Sequence, residues 1–153
     1  MFYPTNYILV SGFGDDENKL VSFDKALFDA GIANYNLVKV SSIFPIGCVH
    51  SSVINAKPGA VIFSAYGTQS QNKPGIISSA VGVGIPKRSE DIGVIMEFSC
   101  NESVEMSENK VREMVRISMA LRGIDIAEIK TTSIEAKTSN EKFSTVFSAL
   151  VMW

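Results

Sequence analysis

A chain of 153 residues, 46% apolar and 20% charged, suits one compact folded domain with a substantial core rather than a disordered segment. The net charge of -2, with no Lys/Arg cluster, argues against nucleic acid as a main partner. No apolar run reaches the ~20 residues that cross a bilayer, and MFYPTNYILVSGFGDDEN has neither a basic n-region nor a long enough apolar stretch for a signal peptide. The expected location is therefore the cytoplasm.

In chain order, NYILVS (6–11) predicts a strand from its Val, Ile and Tyr content. A short helix is predicted over 22–30, with Phe23, Ala26, Leu27 and Ala30 on one face, Ser22 as N-cap and Gly31 as terminator. Asp24 would then lie in the first turn, where the helix dipole favours a carboxylate. A second strand, NLVKVSS (36–42), runs into the sequence VKVSSIFP. Further strands are predicted at 59–67, 76–84 and 91–99, with TQSQNKPG (68–75) as a polar loop. Small residues dominate 76–84, which implies close packing against another sheet. The most regular segment is SENKVREMVRISMALRG (107–123), in which Val111, Met114, Val115 and Met119 form an apolar helical stripe. Ile117 and Leu121 widen that stripe, Ser103 or Ser107 can cap the helix, and Gly123 ends it. Strands at 125–135 and 142–153 complete the chain. Strand, helix, strand, strand thus occurs twice, around the strand at 76–84. Two β-α-β-β units predict an α+β fold, a four-layer α/β/β/α sandwich of two facing sheets, each covered outside by a helix.

Common catalytic centres are scarce. Cys48 and Cys100 are expected to be reduced and independent, and there is no CxxC or HExxH. With one histidine, His50, a zinc or haem site is not expected, and a Ser-His-Asp hydrolase would have to use that residue. His50 reads better as an exposed loop residue. The adjacent serines of VKVSSIFP carry another kind of chemistry. Their simplest role is a turn, as in the pairs Ser51-Ser52 and Ser78-Ser79. A serine hydroxyl beside a strained peptide bond can also attack the preceding carbonyl to give an ester. β-Elimination of that ester cuts the chain and leaves dehydroalanine, which tautomerises and hydrolyses, with loss of ammonia, to a pyruvoyl group. Serine is required, because threonine would yield a different keto acid.

In FDKALFDAGIANYNLVKVSSIFP, GAVIFSAYG, ISSAVGVGIPK, GVIMEFS, VREMVRISMALRG and FSALVMW the chain resembles the pyruvoyl-dependent arginine decarboxylases over nearly its whole length. The first stretch is the specific one, combining Asp24, Asn36 and Ser41-Ser42; the others are mainly fold signatures. The resemblance implies a four-layer sandwich assembled as a homotrimer of αβ protomers, some members pairing trimers, with active sites between subunits. It implies scission between Ser41 and Ser42, giving a β chain of residues 1–41 and an α chain of 42–153 whose pyruvoyl group derives from Ser42. The cofactor is then that covalent pyruvate, with no pyridoxal phosphate and no metal. L-Arginine would be decarboxylated to agmatine through a Schiff base with the ketone.

By the same resemblance Glu97 is the catalytic proton donor. Its own context agrees, since a lone carboxylate among the apolar residues of GVIMEF can hold and deliver a proton. Asn36 matches a polar residue supporting self-processing and the active site, and its amide could stabilise the oxyanion formed at the Ser41 carbonyl. Asp24 matches the residue that receives the substrate guanidinium, which a carboxylate can bind in a bidentate way. Leu20 and Ile43 fall where the family lines the aliphatic part of the substrate. Ala33, in GIAN, stands where relatives can have glycine, and the loop after Pro45 differs in composition. Two alternatives stay open: a pyruvoyl decarboxylase of another amino acid, or an uncut, non-catalytic oligomeric scaffold.

Overall fold

The computed structural model describes residues 1–153 and is a mixed α+β fold of two helices and two sheets. The elements are β1 (Asn6–Asp16), α1 (Lys19–Asp29), β2 (Asn36–Lys39), β3 (Ile43–Phe44), β4 (Val49–His50), β5 (Val61–Gln71), β6 (Gly75–Pro86), β7 (Gly93–Cys100), α2 (Val104–Leu121), β8 (Ile126–Thr138) and β9 (Phe143–Met152). One sheet has the order β2-β5-β9-β1-β4 and the other β3-β7-β6-β8. Neither sheet is built from one half of the chain alone. The last strand, β9, lies between β1 and β5 of the first sheet and pairs antiparallel with both.

The two early glycines explain why the first strand outruns its prediction. Gly12 and Gly14 suggest a turn after Ser11, yet β1 continues through them to Asp16. A Cβ on Gly12 would lie 2.1 Å from the carbonyl oxygen of Ala26, and one on Gly14 would lie 2.3 Å from that of Ser22. Both positions let α1 approach the strand surface more closely than any side chain would allow. The helix itself begins at Lys19, earlier than predicted, because Asn18 accepts hydrogen bonds from Leu20 N and Val21 N at 2.9 and 3.3 Å. Ser22 is therefore no cap. It is buried inside the helix, its hydroxyl 2.7 Å from the Lys19 carbonyl and 2.6 Å from Thr145 Oγ1. Asp24 falls beyond the first turn, so it has no dipole role to fill.

Small residues on β6 serve the other helix. A Cβ on Gly82 would meet Val111 at 2.5 Å and one on Gly84 would meet Val115 at 2.7 Å. The close packing anticipated for this strand is thus with α2 on one face, while Val81 and Val83 pack towards the first sheet on the other. The polar run 68–75 is mostly strand, since Thr68 to Gln71 continue the ladder with β9. In α2, Val111, Val115 and Met119 are buried as predicted, but Ile117 and Leu121 are exposed, at 60% and 82%. Ser103 is the N-cap, accepting from Met106 N.

Three apolar clusters hold these elements. One joins Ala65, Leu150 and Met152 of the first sheet to Val81, Val83 and Ile95 of the second. Another joins Ala26, Leu27 and Ala30 of α1 to Ile62, Phe147, Ala149 and Val151. A third joins Val111, Val115 and Met119 of α2 to Ala80 and Val94. A polar clamp supplements the last. Glu108 Oε1 accepts from Arg112 Nη2 at 2.8 Å and Thr131 Oγ1 at 3.0 Å, and Oε2 accepts from Ser133 Oγ at 3.0 Å. The Arg112 hydrogen bonds, aided by the two hydroxyls, hold the Glu108 carboxyl below its usual value of 4.5. A carboxyl whose value is lowered by folding stabilises the native state above its unfolded value and loses that contribution as pH falls through the folded one. Glu108→Gln should therefore cost about 1–2 kcal/mol near pH 7 for a partly exposed charged network, with the difference from the parent shrinking below about pH 4.5. Chemical denaturation at both pH values measures this, and an equal deficit at each would contradict it.

Candidate active site

The Ser41–Ser42 peptide bond is where the chain leaves one sheet and enters the other. On its N-terminal side, Val40 N donates to Ser64 O at 3.1 Å, extending the parallel pairing of β2 with β5. On its C-terminal side, Ile95 N donates to Ser42 O at 2.7 Å, extending the β3–β7 ladder by one residue. The bond is thus held from two separate sheets, which explains why the predicted strand 36–42 stops at Lys39. Ser41 is exposed and Ser42 half-buried. Beside them Phe2, Val40, Ser41, Ile43, Pro45 and Phe63 line an apolar groove of about 210 Å³. The Tyr3 hydroxyl, 3.0 Å from the Ile46 carbonyl, fastens the N-terminal segment over the same loop.

Glu97 belongs to this region. Register places Ser42 opposite Ile95, and Glu97 is two residues further along β7 on the same face. Diagonal neighbours of this kind have Cβ atoms about 7–8 Å apart or somewhat less. Across the space between the sheets stands Gly67, where a Cβ would lie 3.5 Å from Glu97 Cβ and only 2.6 Å from Ser99 Oγ. A glycine at 67 therefore leaves the room that Glu97 and Ser99 occupy. The carboxylate is 27% exposed and is not in an apolar niche: Lys39 Nζ lies 3.4 Å from Glu97 Oε1. The same ammonium is 4.6 Å from the centroid of the Tyr66 ring.

The remaining candidates lie elsewhere. Asn36 starts β2, with its amide 2.8 Å from the Gly59 carbonyl. Ser41 is five residues on, about 15 Å along an extended chain, so Asn36 does not meet the Ser41–Ser42 bond of its own chain. Leu20 and Asp24 project from α1, where Leu20, Val21, Phe23, Asp24 and Leu27 line a cleft of about 460 Å³. Asp24 is exposed and makes no hydrogen bond or ion pair, and Leu20 is 75% exposed. Ile43 adjoins Ser42 at the groove. One chain therefore brings together Ser41, Ser42, Ile43 and Glu97, and sets Leu20, Asp24 and Asn36 apart from them.

Lys39, Tyr66 and Gly67 were not anticipated. For Lys39 a signal existed, as the only charge in NLVKVSS, two residues before the serine pair; Tyr66 and Gly67 join the site only through strand pairing. His50 lies in β4, edge-on to Tyr7 at 5.6 Å, with no serine or carboxylate hydrogen-bonded to it. Cys48 and Cys100 are free, and burial pushes the Cys48 thiol up to about 11.

A family model for pyruvoyl-dependent arginine decarboxylases matches residues 6–153. A protein of that description from Methanococcus aeolicus is 37% identical over 151 residues, covering 98% of this chain and 90% of the relative. One from Methanocaldococcus jannaschii is 36% identical with the same coverage. A third, from Thermococcus kodakarensis, is 34% identical over 98% of this chain and 96% of its own length.

Proposed function

The chain belongs to the pyruvoyl-dependent arginine decarboxylase family, and on that premise we propose that it cuts itself between Ser41 and Ser42 and converts L-arginine to agmatine and carbon dioxide. The observation that carries this reading is the serine pair spanning two sheets, with Glu97 on the strand that receives Ser42. The residues there suit a pyruvoyl group. Ser42 is held through its backbone carbonyl, so its hydroxyl is free of structural duty, and the adjoining groove is apolar on most sides. Once formed, the group supplies a ketone that condenses with the substrate amine and accepts the electrons released as carbon dioxide departs. Glu97 then delivers a proton to the substrate carbon from which carbon dioxide left.

Asp24 receives the guanidinium by paired N–H donors, with Leu20 and Ile43 along the aliphatic chain. Because Asp24, Leu20 and Asn36 stand apart from Ser42 in one chain, the complete site joins surfaces of neighbouring copies, consistent with a homotrimer of αβ protomers. In that assembly Asn36 of a neighbour would serve the oxyanion at the Ser41 carbonyl. The three apolar clusters support reading the layers as α/β/β/α. The exposed, unpaired carboxylate of Asp24 favours a cationic amino acid over other substrates of the same chemistry.

Mass spectrometry of the purified chain under denaturing conditions tests the proposal. Two fragments ending at Ser41 and beginning at position 42, the larger capped by a ketone, are expected, together with agmatine formation from arginine. One intact chain under all conditions would leave the scaffold reading in its place.

A further inference from the structure

Lys39, the ion-pair partner of Glu97 beside the proposed scission bond, has no role in the reaction described so far. Lys39 ends β2 on the edge of the first sheet, and Glu97 lies on β7 of the second, so the pair crosses between sheets. With side chains 52% and 27% exposed, it contributes little to stability, on the order of 0.2–1 kcal/mol. Its geometry is nevertheless restrained at both ends. The Lys39 ammonium is seated over the Tyr66 ring, which itself packs against Phe147 at 5.2 Å and Phe23 at 6.5 Å. The stem of Glu97 faces the backbone at Gly67, where an added Cβ would lie 3.5 Å from Glu97 Cβ, and Ser99 beside the same glycine donates to Ser79 Oγ at 2.8 Å. The Lys39 ammonium is the one cation paired with Glu97.

A carboxyl group that must deliver a proton to one carbon atom needs a fixed direction as well as a suitable neighbourhood. We propose that Lys39, held by Tyr66, is the positioning residue for Glu97, aiming its carboxylate at the substrate carbon beside Ser42. This rests on the decarboxylase reading. Lys39 touches neither the substrate nor the ketone and acts only through Glu97. Because Lys39 would belong to the shorter fragment and Glu97 to the longer, the alignment relies on the two fragments remaining docked after the cut.

The test uses the processed enzyme, with turnover expressed per mole of pyruvoyl-bearing fragment. Lys39→Met should process normally and retain KM for arginine within about twofold, while kcat falls on the order of tenfold for a misdirected proton donor. Lys39→Arg should recover most of kcat, because a guanidinium can both ion-pair and stack on Tyr66. Tyr66→Leu should lower kcat with the ion-pairing residue still present. A purely structural role would instead lower thermal stability and leave the kcat of the folded fraction unchanged. A Lys39→Met enzyme with parental kcat overturns the inference, as does one that fails to process or that loses activity through KM. A parent chain that forms no pyruvoyl overturns the decarboxylase reading and this inference with it.

Discussion

Ser42→Ala is expected to abolish both scission and decarboxylation, leaving one intact chain of 153 residues. Alanine has no hydroxyl to attack the Ser41 carbonyl and no leaving group on Cβ, so neither the ester nor dehydroalanine can form. The fold should survive, because the hydrogen bond from Ile95 N goes to the backbone carbonyl of residue 42, which the substitution leaves in place. Ser41→Ala is the informative partner. Ser41 contributes a carbonyl to the proposed scission and no side-chain atom, so this variant should still be cut. Electrophoresis and mass spectrometry read both results. Fragments from Ser42→Ala, or an uncut Ser41→Ala chain that is otherwise folded, would contradict the assignment.

The second large effect is expected at Glu97. Glu97→Gln keeps the size and shape of the side chain but removes the transferable proton. Loss of a positioned general acid typically lowers turnover by 10²–10⁴-fold, and a kcat reduction of roughly that size is expected per mole of pyruvoyl. Stability should change by less than about 1 kcal/mol, since the ion pair to Lys39 is partly exposed. Single-turnover measurements would separate carbon dioxide release from protonation: release should persist while agmatine formation slows. A processed Glu97→Gln enzyme with parental kcat would remove Glu97 as the donor.

Both helices and most strands could be read from local pattern, because the stripe Val111-Val115-Met119 and the Val/Ile runs record local burial directly. Other features depend on partners distant in sequence. Gly12 and Gly14 look like turn residues until α1 is laid across them. The cap at Asn18 was missed because Ser22 offers the same chemistry four residues later, next to an apolar stripe. That the serine pair permits an acyl shift was legible, because this chemistry is a property of adjacent residues, and the resemblance of the surrounding stretch made it a candidate scission site. That it bridges two sheets was not legible, since Ser64 and Ile95, which hold its two sides, are each more than twenty residues away. Lys39 was legible only as the lone charge of NLVKVSS; its pairing was not, because the carboxylate it meets comes from another sheet.

The strand order of the first sheet gives self-cleavage a further consequence. Read across, β2-β5-β9-β1-β4 mixes strands from before and after position 41: β2 and β1 precede it, while β5, β9 and β4 follow. On the proposed scission, the shorter chain is woven into the sheet at two places, with β1 flanked on both sides by strands of its counterpart. Neither fragment retains the whole of this sheet, although the second sheet, β3-β7-β6-β8, lies entirely within the longer one. Maturation would then exchange a folding reaction for a heterodimeric association, in which re-forming the sheet requires two chains to meet. The precursor could recover from unfolding alone, whereas the mature enzyme would recover only as fast as its fragments encounter one another.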